Sequence, residues 1–83
     1  LTYDALNRYS EAVTAFQNAI SNEKRGTRKG DYYFRLGTVQ LKLRQYKPAE
    51  DALLNAIKFT KKSTIKAGSN FHLGLIFKDL TNF

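Results

Sequence analysis

YYFRLGTVQLKLRQYKPAEDALLNAI, residues 32–57, reads as one helical hairpin. Leu36 and Gly37 lie in its first helix, Tyr46 closes that helix, Pro48 and Ala49 open the second, and Ala56 and Ile57 follow further along. Gly37 and Ala49 mark the close approach of two antiparallel helices, because only a residue without a bulky side chain lets the backbones come near. Pro48 suits a first helical turn, where its missing N–H has no intrahelical partner to lose. Tyr46 is an amphipathic plug between this pair and the next. The expected helices run from about Asp31 to Arg44 and from Pro48 to about Thr60.

The same plan recurs when the chain is shifted by thirty-seven residues. Tyr9 then falls on Tyr46 and Phe83, and Ala12 on Ala49. Asn18, Ala19 and Ile20 fall on Asn55, Ala56 and Ile57. Phe34 falls on Phe71, Leu36-Gly37 on Leu73-Gly74, and Leu6 on Leu43 and Leu80. With Tyr33, Leu36, Gly37, Tyr46, Ala49, Leu53 and Ala56 at set intervals, the pattern resembles the tetratricopeptide repeat. The period is about three residues longer than that family's usual thirty-four, and Lys24 and Lys61 stand where a proline normally ends each repeat. The resemblance implies an all-α fold, an α-solenoid of antiparallel helix hairpins stacked into a right-handed superhelix. Residues 1–25 form the second part of repeat one, 31–62 the complete repeat two, and 67–83 the first helix of repeat three.

In that register Leu1–Arg8 is the tail of one helix, and Ser10 is the N-cap of the next, with Glu11 complementing its positive end. Five helical segments and no strand are expected. Ala12, Ala15, Phe16, Ala19 and Ile20 form an amphipathic stripe, read as core. The polar, glycine-bearing residues 22–31 form one inter-repeat turn and Lys61–Gly68 the second, with the third helix following to Leu80. Leu36, Gly37, Val39, Leu43, Tyr46, Ala49, Ala52, Leu53, Ala56, Ile57, Leu73, Gly74, Ile76 and Leu80 are the expected buried set. Eighty-three residues bury only a modest core, since small domains hide about 60% of their unfolded surface. Stability must come from stacking, and the phase of the repeats implies a slice of a longer solenoid or multi-subunit assembly.

Several function classes fall away. With no cysteine there is no disulfide, thiol nucleophile or cysteine-based zinc site, and an intracellular setting, cytoplasm or nucleus, is permitted. No apolar run approaches the roughly twenty residues that span a bilayer. His72 is the single histidine, and no carboxylate stands at ligand spacing from it, so packing or groove lining is its better reading. Gly26–Gly30 is basic and glycine-flanked but lacks the Gly-Lys-Ser/Thr ending of a phosphate loop. The carboxylates are scattered among basic residues, and no acid–base pair, Ser/His/Asp set, cofactor motif or metal site is visible. Binding remains, not catalysis.

The resemblance places a partner groove along the concave face, on outward positions of the first helix of each repeat. Phe34, Thr38, Leu41 and Lys42 of repeat two and Phe71, Leu75 and Lys78 of repeat three line it. Leu1, Asp4, Ala5, Asp31, Gly68 and Asp79 extend it. A peptide or helical segment with apolar anchors suits this floor, while Phe34 and Phe71 equally suit packing between repeats. Chaperone-binding relatives clamp a carboxylate with lysine and asparagine. Phe34, Thr38 and His72 occupy those places here, which speaks against the C-terminal tails of Hsp70 and Hsp90 as partners.

A second feature comes from the repeat arithmetic alone. Lys24, Arg25 and Lys29 match Lys61, Lys62 and Lys66, so they stack as a basic edge. With a net charge of +7, that edge attracts an acidic protein surface or, as an alternative, nucleic acid or an anionic surface. Base-stacking aromatics do not interleave with it, which disfavours nucleic acid; a solvated edge is the plain competing reading.

Overall fold

The computed structural model describes residues 2–81, which form four helices and no strand: α1 (Tyr3–Asn22), α2 (Gly26–Lys42), α3 (Tyr46–Phe59) and α4 (Ser63–Thr81). The expectations on Leu1 and Phe83, and on the burial of Leu80, lie outside the described residues. α2 and α3 make the most extensive pairing, α1 packs on α2, and α4 packs on α3 and more lightly on α2. The result is a flat stack, 37 × 28 × 17 Å.

The first correction concerns α1. Five segments were expected, with a break before Ser10, but one helix runs from Tyr3 to Asn22. Thr2 is its N-cap, its Oγ1 accepting the Ala5 N–H at 3.1 Å, and Asp4 adds favourable charge in the first turn. Ser10 lies mid-helix, and its carbonyl accepts the Thr14 hydroxyl at 3.3 Å. The reason is compositional. Residues 3–22 contain neither glycine nor proline, and an interior serine costs only tenths of a kcal/mol, about 0.5. The repeat-two counterpart breaks because Pro48 stands there.

The second correction is that α2 and α4 start earlier than expected. Gly26–Gly30, read as turn, is the first part of α2, and Ser63–Ala67 the first part of α4. Gly30 explains the former. A Cβ there would lie 2.7 Å from the Thr60 backbone nitrogen, so glycine lets α2 run against the end of α3. Tyr33 continues the seam, its ring stacked on Phe59 with centroids 5.7 Å apart. Lys62 Nζ donates to Asp31 Oδ2 at 3.2 Å, and the Lys62 N–H donates to Thr60 Oγ1 at 3.1 Å.

The hairpin turn is also shifted. α2 ends at Lys42 and α3 begins at Tyr46, so Tyr46 opens the second helix instead of closing the first. Pro48 falls in the first turn, where no backbone donor is lost. Along α3, Ala49, Ala52, Leu53 and Ala56 are buried at steps of three and four. They face α2 at Gly37, where an added Cβ would sit 2.8 Å from Leu53 Cγ. Leu53 is 0% exposed and forms the core cluster with Ala49 and Ile76.

Of the expected core, Leu36, Gly37, Ala49, Ala52, Leu53, Ala56 and Ile76 are buried, and Val39, Leu43, Tyr46, Ile57 and Leu73 are half-buried. Gly74 is exposed, contrary to expectation, because no helix among the described residues stands where α3 stands against Gly37.

Candidate functional site

The end of α2 is shaped by its backbone. The Arg44 N–H donates to the Leu41 carbonyl and the Gln45 N–H to the Gln40 carbonyl, both at 2.9 Å. This is the paired C-terminal capping pattern that needs a left-handed residue. Arg44 supplies it, at φ 58°, where glycine is ordinarily found because a Cβ crowds the following carbonyl.

The corner so formed opens onto α4 as a cleft of about 540 Å³ lined by Leu41, Lys42, Arg44, Tyr46, Leu75 and Asp79. Leu41 and Tyr46 also pack on the core cluster, so the apolar floor is fixed from below. Lys42 and Arg44 supply positive charge at the rim, with Asp79 of α4 opposite in sign among the lining residues. The Lys42 ammonium also sits 5.4 Å from the centroid of the Tyr9 ring of α1, a cation–π contact.

Of the groove residues read from the sequence, Leu41, Lys42, Leu75 and Asp79 meet in this cleft. Phe34 goes elsewhere. It is half-buried between α2 and α4, its ring 5.8 Å from that of His72 and its edge closing on Gly68, where a Cβ would lie 3.0 Å away. The Thr38 hydroxyl donates back to the Arg35 carbonyl at 2.8 Å. Phe71 is 65% exposed and meets His72 edge-on at 5.7 Å. Lys78 is exposed on the same helix. Asp4 and Ala5 line a separate hollow of about 370 Å³ with Thr2, Arg8 and Tyr9.

On the opposite edge, Lys61 and Lys62 share a hollow of about 300 Å³ with Thr27, Arg28, Asp31 and Thr60. Lys24, Arg25 and Lys66 are exposed and Lys29 is half-buried. Acids stand among these cations: Asp31 pairs with Lys62 at 3.2 Å and Glu23 with Arg28 at 4.0 Å. No group of three or more potential metal ligands occurs among the described residues.

Arg44 and Tyr46 of the cleft and Arg28 of the basic hollow were missed in the sequence. Arg28 was passed over as turn, and nothing in the identity of an arginine announces a left-handed backbone. Arg44→Gly is therefore expected to stabilise the fold by about 0.5–1 kcal/mol, the relief of left-handed strain less the added chain entropy of glycine. A raised urea midpoint checks it.

Among known proteins, the family model described as Tetratricopeptide repeat matches residues 30–63, from Gly30 of α2 through α3 to the start of α4. No curated protein and no solved structure matches.

Proposed function

We propose, from the tetratricopeptide repeat that residues 30–63 match, that the chain is an interaction scaffold holding a partner peptide or helix along the face that α2 and α4 share. Repeats of this family generally mediate protein–protein interaction, and the family is a non-catalytic one. The observation that carries the reading is the cleft. Two leucines from different helices and Tyr46 form an apolar floor beneath Lys42 and Arg44, a combination suited to an apolar anchor flanked by an acidic residue. Phe71 and Lys78, exposed on the same helix as Leu75, extend that face along α4. The carboxylate clamp of chaperone-binding relatives is lacking, so Hsp70 and Hsp90 tails do not fit. No helix among the described residues is long and apolar enough to cross a membrane.

Capture with the full-length protein and mass spectrometry identifies the partner. Leu75→Asp is then expected to weaken its affinity at least tenfold, about 1.4 kcal/mol, with little loss of thermal stability because Leu75 is 42% exposed. Unchanged affinity would rule out the cleft.

A second reading draws on the meeting of Arg28, Lys61 and Lys62 in one hollow, which supports an acidic surface or nucleic acid at the basic edge. Asp31 within that hollow weakens it. Reversing the charge of Lys61 and Lys62 separates the two: a functional edge loses association rate at low salt, and a nucleic-acid site shows affinity falling steeply with salt.

A further inference from the structure

Lys24-Arg25-Gly26-Thr27 and Lys61-Lys62-Ser63-Thr64 coincide under the thirty-seven-residue shift. Two adjacent basic residues thus stand three and two places before a threonine in both repeats, and both threonines are exposed, each the second residue of its helix. The hydroxyls of Thr2, Thr14, Thr38 and Thr60 are held in local hydrogen bonds. No such bond among the described residues engages that of Thr27. Thr27 also lines the hollow of about 300 Å³ on the basic edge, where Arg28 of α2 meets Lys61 and Lys62 of the α3–α4 connection.

The chain ahead of Thr27 suits entry into an enzyme's groove. Glu23 and Arg25 have extended backbone, at ψ 128° and 119°, and Lys24 and Arg25 are exposed. The first turn of α2 is weakly held: Arg25 makes no side-chain cap, no acid stands in that turn, and Gly26 lowers its helix propensity. Its opening is a low-energy local event that brings Thr27 into line with the two extended cations.

We propose that Thr27 is a phosphorylation site for a protein kinase whose acidic substrate groove takes Lys24 and Arg25. The Thr27 Oγ1 attacks the γ-phosphorus of ATP, the bond to the β-phosphate oxygen breaks to leave ADP, and the hydroxyl proton passes to a base of the kinase. The product carries a charge of about −1.5 to −2 at neutral pH. It lies at the positive end of a helix with no acid in its first turn and beside Arg28, Lys61 and Lys62. Charge-assisted hydrogen bonds to these cations tie the start of α2 to the α3–α4 connection. Asp31 opposes the phosphate from within the hollow and pairs with Lys62 at 3.2 Å. The phosphate therefore falls chiefly to Lys61 and to Arg28, whose own pairing with Glu23 is long, at 4.0 Å. The site is separate from the cleft and stands whether or not the cleft binds.

The test incubates the full-length protein with magnesium-ATP and the catalytic subunit of cyclic-AMP-dependent protein kinase, with a peptide of residues 22–32 as reference, and maps phosphate by mass spectrometry. Phosphate is expected on Thr27 of both, and on Thr27 of the protein isolated from its own cells under phosphatase inhibition. Arg25→Ala is expected to slow the modification at least tenfold. In singly phosphorylated Thr64→Val protein, which isolates the site, the melting temperature is expected to rise by about 4 °C or more. Lys61→Gln, distant in sequence from the acceptor, is expected to remove most of that rise while the rate of modification holds. A peptide that is modified while the folded protein is not overturns the proposal, because the first turn of α2 would then be closed to the enzyme. A rate indifferent to Arg25→Ala overturns it, as does protein from cells without phosphate at Thr27. An unchanged or lowered melting temperature, or a rise that survives Lys61→Gln, overturns the seat of the phosphate in the hollow.

Discussion

Leu53→Ala is expected to lower stability by about 2–5 kcal/mol, the range for truncating a fully buried leucine. Leu53 is 0% exposed and lies between Gly37 of α2 and the core cluster with Ala49 and Ile76. Glycine on the facing helix has no side chain to move into the gap, so the cavity persists and the upper part of the range applies. Against a total of about 5–15 kcal/mol for a small domain, such a loss is a large fraction of the stability. Thermal unfolding checks it. Each kcal/mol displaces the midpoint of a chain this size by about 4–8 °C, and a drop under 4 °C would mean that α3 does not face α2 through Leu53.

Ala49→Leu is expected to destabilise by the opposite route, by about 3 kcal/mol, the upper part of the overpacking range. Ala49 is also 0% exposed, and its carbonyl oxygen would lie 3.4 Å from a Cβ on Gly37. The added carbons have no void to enter and must push α2 and α3 apart. A shifted urea midpoint with an unchanged slope is the expected signature. An unshifted midpoint would mean that the two helices do not make their close approach here.

The hairpin was legible because its signals are steric. Gly37 and Ala49 specify a close contact, Pro48 a first turn, and the spacing of Ala49, Ala52, Leu53 and Ala56 one buried face. Those residues lie where the repeat register puts them, and Ile76 follows by the same register in α4. The register failed where equivalence of position concealed a difference in chemistry. Ser10 stands near the place of Pro48 and Tyr9 in that of Tyr46, yet a serine does not stop a helix as a proline fixes its start, so α1 continues. Gly26 and Gly30 looked like turn residues, but Gly30 is small because Thr60 crosses it, a contact whose partner is thirty residues distant in the sequence. The cleft was half legible. Leu41, Lys42, Leu75 and Asp79 follow from the groove positions that the family resemblance implies, whereas Arg44 enters through a backbone conformation that its side chain does not encode. Phe34 shows the limit of facial arguments, since an outward position on α2 became an interhelical one once α4 crossed it at Gly68.

α1 contains no fully buried residue and packs on α2, so its release exposes far less apolar surface than opening the α2–α3 seam. Its amides are therefore expected to exchange with solvent through a low-energy local opening, and those of α3 only on global unfolding. Because Lys42 rests against Tyr9 of α1, that opening reaches the cleft. When α1 lifts, the ammonium loses its aromatic contact and turns wholly to solvent and to whatever occupies the cleft. A ligand that drew Lys42 into the proposed cleft site would therefore compete with the docking of α1 for one side chain.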